Sequence, residues 1–142
     1  MTIAAILKSK GSEVVTLPPS ASVAGAVALL ADKRIGALPI VEGERVVGLF
    51  SERDVIYCLA SRGAAALELA VSEVMTAPAR TVAPEDAVLG ALSLVTRRRI
   101  RHLPVVDGGR LVGLVSIGDL VKYRIDRIEQ EAEAMRSYIQ SA

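Results

Sequence analysis

The sequence predicts an α/β fold of the α+β kind, with tandem pseudo-twofold β-α-β-β-α repeats, three-stranded sheets and a long C-terminal helix. Three observations predict it. Residues 16–55 recur without a gap at residues 81–120, an offset of 65. Each copy repeats the same order of short apolar strands, helix-period stretches and Gly-containing turns. A heptad-spaced apolar series then runs on beyond the second copy alone. The strongest match sets Arg34-Ile35-Gly36-Ala37-Leu38-Pro39-Ile40-Val41 against Arg99-Ile100-Arg101-His102-Leu103-Pro104-Val105-Val106. A solenoid shows at least three copies at a period of roughly 20–50 residues, so two copies at a longer period read as halves of one domain.

The expected division is a first repeat over 1–62, a second over 63–124 and a helical extension over 125–142. A half of this size buries only about 60% of its unfolded surface, so the copies are expected to share a core.

Within each copy, residues 14–17 and 80–82 read as short strands ended by Pro and turn formers. Helices follow over about 21–33 and 85–98, closed by Lys33-Arg34 and Arg97-Arg98-Arg99, whose cations suit a helix C-terminus. Apolar runs at 37–41 and 46–50 flank Glu42-Gly43-Glu44-Arg45, a hairpin signal repeated around Asp107-Gly108-Gly109-Arg110. A second helix opens at Ser51 or Ser116. Residues 64–75 read as a helical connector, in which Val71, Val74 and Met75 mirror Ile3, Ile6 and Leu7 three residues out of register. The last helix carries Val121, Ile125, Ile128, Ala132, Met135 and Ile139 at heptad spacing, a seam for its own domain or for a second subunit.

Composition excludes several classes. A hydrophobic fraction of 51% with 23% charged residues is that of a globular chain, and a net charge of +1 gives no general attraction to nucleic acid or membrane. Cys58 is the only cysteine, which rules out an intramolecular disulfide and points to a reducing compartment. With no signal peptide and no apolar run near the roughly 20 residues of a membrane span, the expected location is cytoplasmic. One histidine and one cysteine cannot assemble a metal cluster or a Cys-His pair, and no phosphate-binding glycine loop is present, so no enzyme is expected.

Two places remain where a ligand can be held. Ser51-Glu52-Arg53-Asp54 and Ser116-Ile117-Gly118-Asp119 each follow a strand and open a helix. Such a Ser-x-x-Asp motif is either a capping box or a carboxylate placed to accept two hydrogen bonds from a vicinal diol such as a ribose. The second place is Arg101-His102, which replaces Gly36-Ala37 of the first copy. Adjacent strand residues face opposite ways, so the pair is expected to serve two clefts, each offering a group to an anion.

Taken together, the Leu-Pro-Ile-Val and Leu-Pro-Val-Val strands, the Val-Gly-Leu strands and the paired Ser-x-x-Asp helix starts resemble the CBS (cystathionine-β-synthase) domain pair, or Bateman module. The resemblance covers residues 3 to about 123. It implies a regulatory module with two inter-repeat clefts for adenosine-containing ligands: AMP, ADP, ATP, NAD(H) or S-adenosylmethionine. By that analogy no cofactor is required, Asp54 and Asp119 hold ribose with Ser51 and Ser116 beside them, and Ile35, Leu49, Ile100 and Leu114 enclose adenine. Thr16 and Thr81 would border the opposite wall. Arg101 would face the cleft containing Asp119, and His102 the one containing Asp54, while Gly36 breaks the charged pattern. The resemblance further implies a homodimer and a regulated protein partner. The competing expectation is an interaction scaffold with vestigial clefts.

Overall fold

The computed structural model describes residues 1–141; Ala142, the last residue of the expected extension, lies outside the described residues. The elements are α1 (Ile3–Lys10), α2 (Val23–Lys33), β1 (Ala37–Glu42), β2 (Arg45–Ser51), α3 (Glu52–Arg62), α4 (Val88–Arg98), β3 (His102–Asp107), β4 (Arg110–Ser116) and α5 (Ile117–Ser141). None of the described helices is long and apolar enough to cross a membrane.

The two hairpins are copies of each other down to their irregularities. β1 pairs antiparallel with β2 from Ala37↔Ser51, with a register shift between Ile40 and Val41. β3 pairs with β4 from His102↔Ser116, with the same shift between Val105 and Val106. The expected third strands shrink to one residue each. Leu17 bridges Ile40 and Val82 bridges Val105, both parallel. Pro18-Pro19 and Pro84 follow these residues and lack the amides needed to extend a ladder.

Helix starts lie slightly later than expected. Ser22 caps α2 by accepting from Gly25 N at 3.0 Å, and α4 begins at Val88. The connector is not one helix but two short 3₁₀ turns, Gly63–Glu68 and Val71–Glu73. Between them the chain is held extended, because Val23 N donates to Leu69 O at 2.8 Å and Val71 N to Ala21 O at 2.7 Å.

Packing crosses the 1–62/63–124 division. The first core joins Val23, Ala26, Leu30, Leu38, Ile40, Phe50 and Cys58 to Ala66 and Val71 of the connector. The second joins Val82, Val88, Ala91, Val95, Leu103, Val105, Val115 and Leu120 to Ile3 and Ile6 of α1. The N-terminal helix thus completes the second repeat and the connector completes the first. Matching antiparallel bridges, Thr2↔Ala87 and Ser22↔Ala70, lock the two segments in place. The repeats meet edge to edge at the hairpins, where Leu111 N donates to Glu44 O at 2.9 Å and Arg110 Nε lies 2.6 Å from Glu44 Oε2.

This arrangement explains a shared glycine. A Cβ on Gly48 would stand 2.5 Å from Met75 Sδ, and one on Gly113 would stand 2.6 Å from Leu7 Cδ2. The β-sheets are bare at these points so that the two segments can lie against them. Met75 is unbranched and can turn aside, whereas the branched end of Leu7 also places Cδ1 at 2.8 Å. Gly113→Ala is therefore expected to destabilise by about 1–3 kcal/mol, and Gly48→Ala by less than about 1 kcal/mol, in urea unfolding.

Candidate functional site

Each hairpin delivers a serine to the start of a helix, and each serine is tied to the aspartate three residues on. Ser51 N donates to Asp54 Oδ2 at 2.8 Å and Ser51 Oγ to the same oxygen at 3.1 Å. Ser116 N donates to Asp119 Oδ2 at 2.8 Å, and Asp119 N returns a bond to Ser116 Oγ at 3.1 Å. The capping role is therefore real at both starts. What differs is how much of each carboxylate is left over.

Asp54 is 9% exposed, and both its oxygens are used, since Thr76 Oγ1 donates to Oδ1 at 2.9 Å. Asp119 is more open. Its Oδ2 also takes Lys10 Nζ at 2.6 Å, while no hydrogen bond reaches Oδ1 from the described residues. Burial pushes the Asp119 carboxyl up, but the bonds from Lys10 and Ser116 outweigh it and hold the group below the usual carboxylate range.

Among the described residues, two clefts between the repeats are lined by members of the Arg101-His102 pair. The larger, about 300 Å³, is walled by Ile35 and Ala37 of the first repeat, Leu114, Ser116, Asp119 and His102 of the second, and Lys10, Glu13, Val14 and Val15 of the entering chain. The smaller, about 100 Å³, is lined by Leu49, Ser51, Arg53 and Thr76 against Ile100, Arg101 and His102. Asp54 is not among its walls, because it stands behind Ser51 and Thr76. Thus Ile35, Leu114, Ser116 and Asp119 come together in one cleft, and Leu49, Ser51 and Ile100 in the other. Thr16 and Thr81 line neither; Thr16 borders a separate groove with Ser12, Val14 and Leu111.

The expected allocation of the basic pair needs correcting. Arg101 lines the cleft beside Ser51, and His102 lines the Asp119 cleft while also touching the smaller one. Register is the reason: His102 pairs directly with Ser116, which holds it beside Asp119. Its ring extends over Gly36, where a Cβ would meet His102 Cε1 at 3.0 Å. Gly36 is therefore a space-giving residue for the imidazole. Sequence reasoning missed Lys10, Glu13, Val14, Val15 and Thr76, which come from the segments flanking the repeats rather than from the repeats themselves.

Among the described residues no group of three or more His, Cys, Asp or Glu side chains is placed to hold a metal ion. Cys58 is a buried free thiol in the first core.

Burial, aided by the neighbouring Arg101, holds His102 below the ordinary imidazole value of 6.5, against the opposing pull of Glu52 and Asp119. The imidazole is consequently neutral at neutral pH. A base with a lowered folded pKa gives stability that is whole above its unfolded value and declines as pH falls below 6.5. Urea midpoints are expected to drop between about pH 7.5 and about pH 5.5, and His102→Gln is expected to flatten that slope.

The family model described as CBS domain matches the chain twice, over residues 8–61 and 71–126. A mitochondrial CBS domain-containing protein of Arabidopsis thaliana is 32% identical over 98% of this chain and 72% of its own length. A solved CBS-domain containing protein from Agrobacterium tumefaciens superposes with a TM-score of 0.83 at 36% identity, over 87% of this chain and 99% of that one. A CBS domain protein from Pyrobaculum aerophilum, solved in complex with AMP, gives a TM-score of 0.75 at 29% identity over 84% of this chain and 89% of the other. With two family matches over its two repeats, the chain belongs to the CBS domain family.

Proposed function

We propose that this protein is a regulatory sensor that binds an adenosine-containing ligand in the Asp119 cleft and acts by binding rather than by catalysis. The observation that carries the proposal is the cleft itself. Its 300 Å³ sits at the lower end of small-molecule sites, which run from roughly 300 to 1,000 Å³. Aliphatic walls from Ile35, Val15 and Leu114 suit a purine face, and Asp119 offers a ribose hydroxyl an oxygen that takes no hydrogen bond from the described residues. Ser116 and His102 supply further polar contacts at the same end. The AMP complex of the Pyrobaculum relative supports an adenine nucleotide as the ligand class, with NAD(H) and S-adenosylmethionine as further members of that class.

The smaller cleft is a weaker candidate. Its 100 Å³ falls below the usual range, and Asp54 stands behind its wall with both oxygens engaged by Ser51 and Thr76. Asp119→Ala is expected to weaken AMP binding by about 10- to 150-fold, the worth of hydrogen bonds to a charged acceptor. Asp54→Ala is expected to change it by less than about 3-fold while costing more folding stability than Asp119→Ala. Calorimetric titration of AMP checks both. If AMP, ATP, NAD(H) and S-adenosylmethionine all fail to bind the wild-type protein, the scaffold reading replaces this one.

A second copy of the chain is the proposed partner of the uncovered helical face. Ile56 and Tyr57 on α3 are 64% and 65% exposed, and Val121, Ile125 and Ile128 on α5 are 41–49% exposed. Ile56 and Val121 are repeat counterparts, so the two helices present related apolar faces. Burying them between two copies gives a homodimer, whose state a regulated protein partner can read. Ile125→Glu combined with Ile128→Glu is expected to convert a dimer to a monomer in light scattering, with AMP affinity kept. A wild-type monomer at high protein concentration contradicts the assignment.

A further inference from the structure

The two helix starts are related by the repeat, but the groups that hold their carboxylates are not. In the first copy Thr76 donates its hydroxyl to Asp54 Oδ1 and its amide to Leu49 O, each at 2.9 Å. In the second, Lys10 Nζ makes both bonds, to Asp119 Oδ2 at 2.6 Å and to Leu114 O at 2.9 Å. Leu114 is the counterpart of Leu49, so an ammonium ion stands where the first copy uses a neutral residue. Lys10 and Asp119 also line a groove of about 140 Å³ between α1 and α5, with Ile6, Ser9 and Tyr123. Their ion pair is the partition between that groove and the inter-repeat cleft.

We propose that Lys10 is the specificity determinant of the Asp119 cleft, withholding the carboxylate from uncharged nucleosides and releasing it to phosphorylated ones. This rests on the nucleoside-binding reading above. A ribose diol that engages both oxygens of Asp119 displaces Lys10 from Oδ2. An uncharged nucleoside offers the released ammonium no replacement, so its binding is opposed by the loss of the ion pair. A phosphorylated ligand brings an anion to which the flexible, 39% exposed Lys10 side chain transfers. The charge balance of the cleft points the same way. Glu13 and Asp119 are anionic walls and His102 is neutral, which leaves Lys10 as the one cation among the described residues lining this cleft. Without it, two carboxylates face an incoming phosphate. Lys10 therefore lowers affinity for the neutral ligand and raises it for the charged one.

The test is calorimetric titration of adenosine and of AMP into the wild-type protein, Lys10→Met and Lys10→Arg. The Met variant is expected to bind adenosine more tightly and AMP more weakly, shrinking the AMP-to-adenosine preference by about 10-fold or more. The Arg variant, which keeps the charge, is expected to retain most of that preference. A Met variant with the wild-type preference overturns the proposal, as does one in which adenosine binds more weakly. If neither ligand binds the wild-type chain, the nucleoside reading itself fails and takes this proposal with it.

Discussion

The contact on which the rest of the site depends is the ring of His102 laid over the bare Cα of Gly36. It lies where the starts of β1 and β3 approach each other across the pseudo-twofold relation of the repeats. The contact joins position 36 of one copy to position 102 of the other, so a second Arg-His pair at 36–37 would set an arginine against the imidazole, where a Cβ at Gly36 would already stand 3.0 Å from His102 Cε1. The sequence answers with Gly36-Ala37 in one copy and Arg101-His102 in the other. Symmetry is broken at this close contact, and the break makes the clefts on either side unequal. His102 lines both clefts, whereas Arg101 lines the smaller one.

A second asymmetry comes from outside the repeat. Each core is finished by a segment flanking the repeats, α1 for the second and the 63–75 connector for the first. These segments also supply the residue that meets each carboxylate: the hydroxyl of Thr76 for Asp54 and the ammonium of Lys10 for Asp119. Neither repeat contains all the walls of its cleft, so a ligand held there as proposed would couple its affinity to the relative placement of the repeats. That is the physical basis for a module whose ligand alters something elsewhere in the molecule. α5 begins at the Asp119 cleft and carries its apolar stripe well beyond the core, which makes it the natural reporter of such a change.

The hairpins, the helix starts and the long last helix were legible because each is set by local chemistry: β-branched runs around Gly turns, Ser-x-x-Asp and heptad spacing. The mirror of Ile3, Ile6 and Leu7 in Val71, Val74 and Met75 was visible too, but not its consequence, that each segment packs against the sheet of one particular repeat. Thr76 and Lys10 do not align under the 65-residue offset, so no repeat comparison pairs them; only the shared hydrogen-bonding task does. The alternation of strand residues predicts separate clefts for Arg101 and His102, whereas both line the smaller cleft and His102 lines the larger one too, and alternation does not say which face belongs to which cleft. The pairing of His102 with Ser116 decides that, and register between strands is a tertiary fact. The connector, expected to be a helix, is instead held partly extended by two backbone hydrogen bonds to the start of α2.

The most direct measurement is a crystal structure with AMP bound. Two inequivalent clefts, with the Asp119 cleft as the site of binding, require nucleotide density between Ile35 and Leu114, the ribose on Asp119 and the Lys10 ammonium moved from Oδ2 towards the phosphate. Nucleotide found in the Arg101 cleft alone, or equally in both with Lys10 still on Asp119, would contradict them.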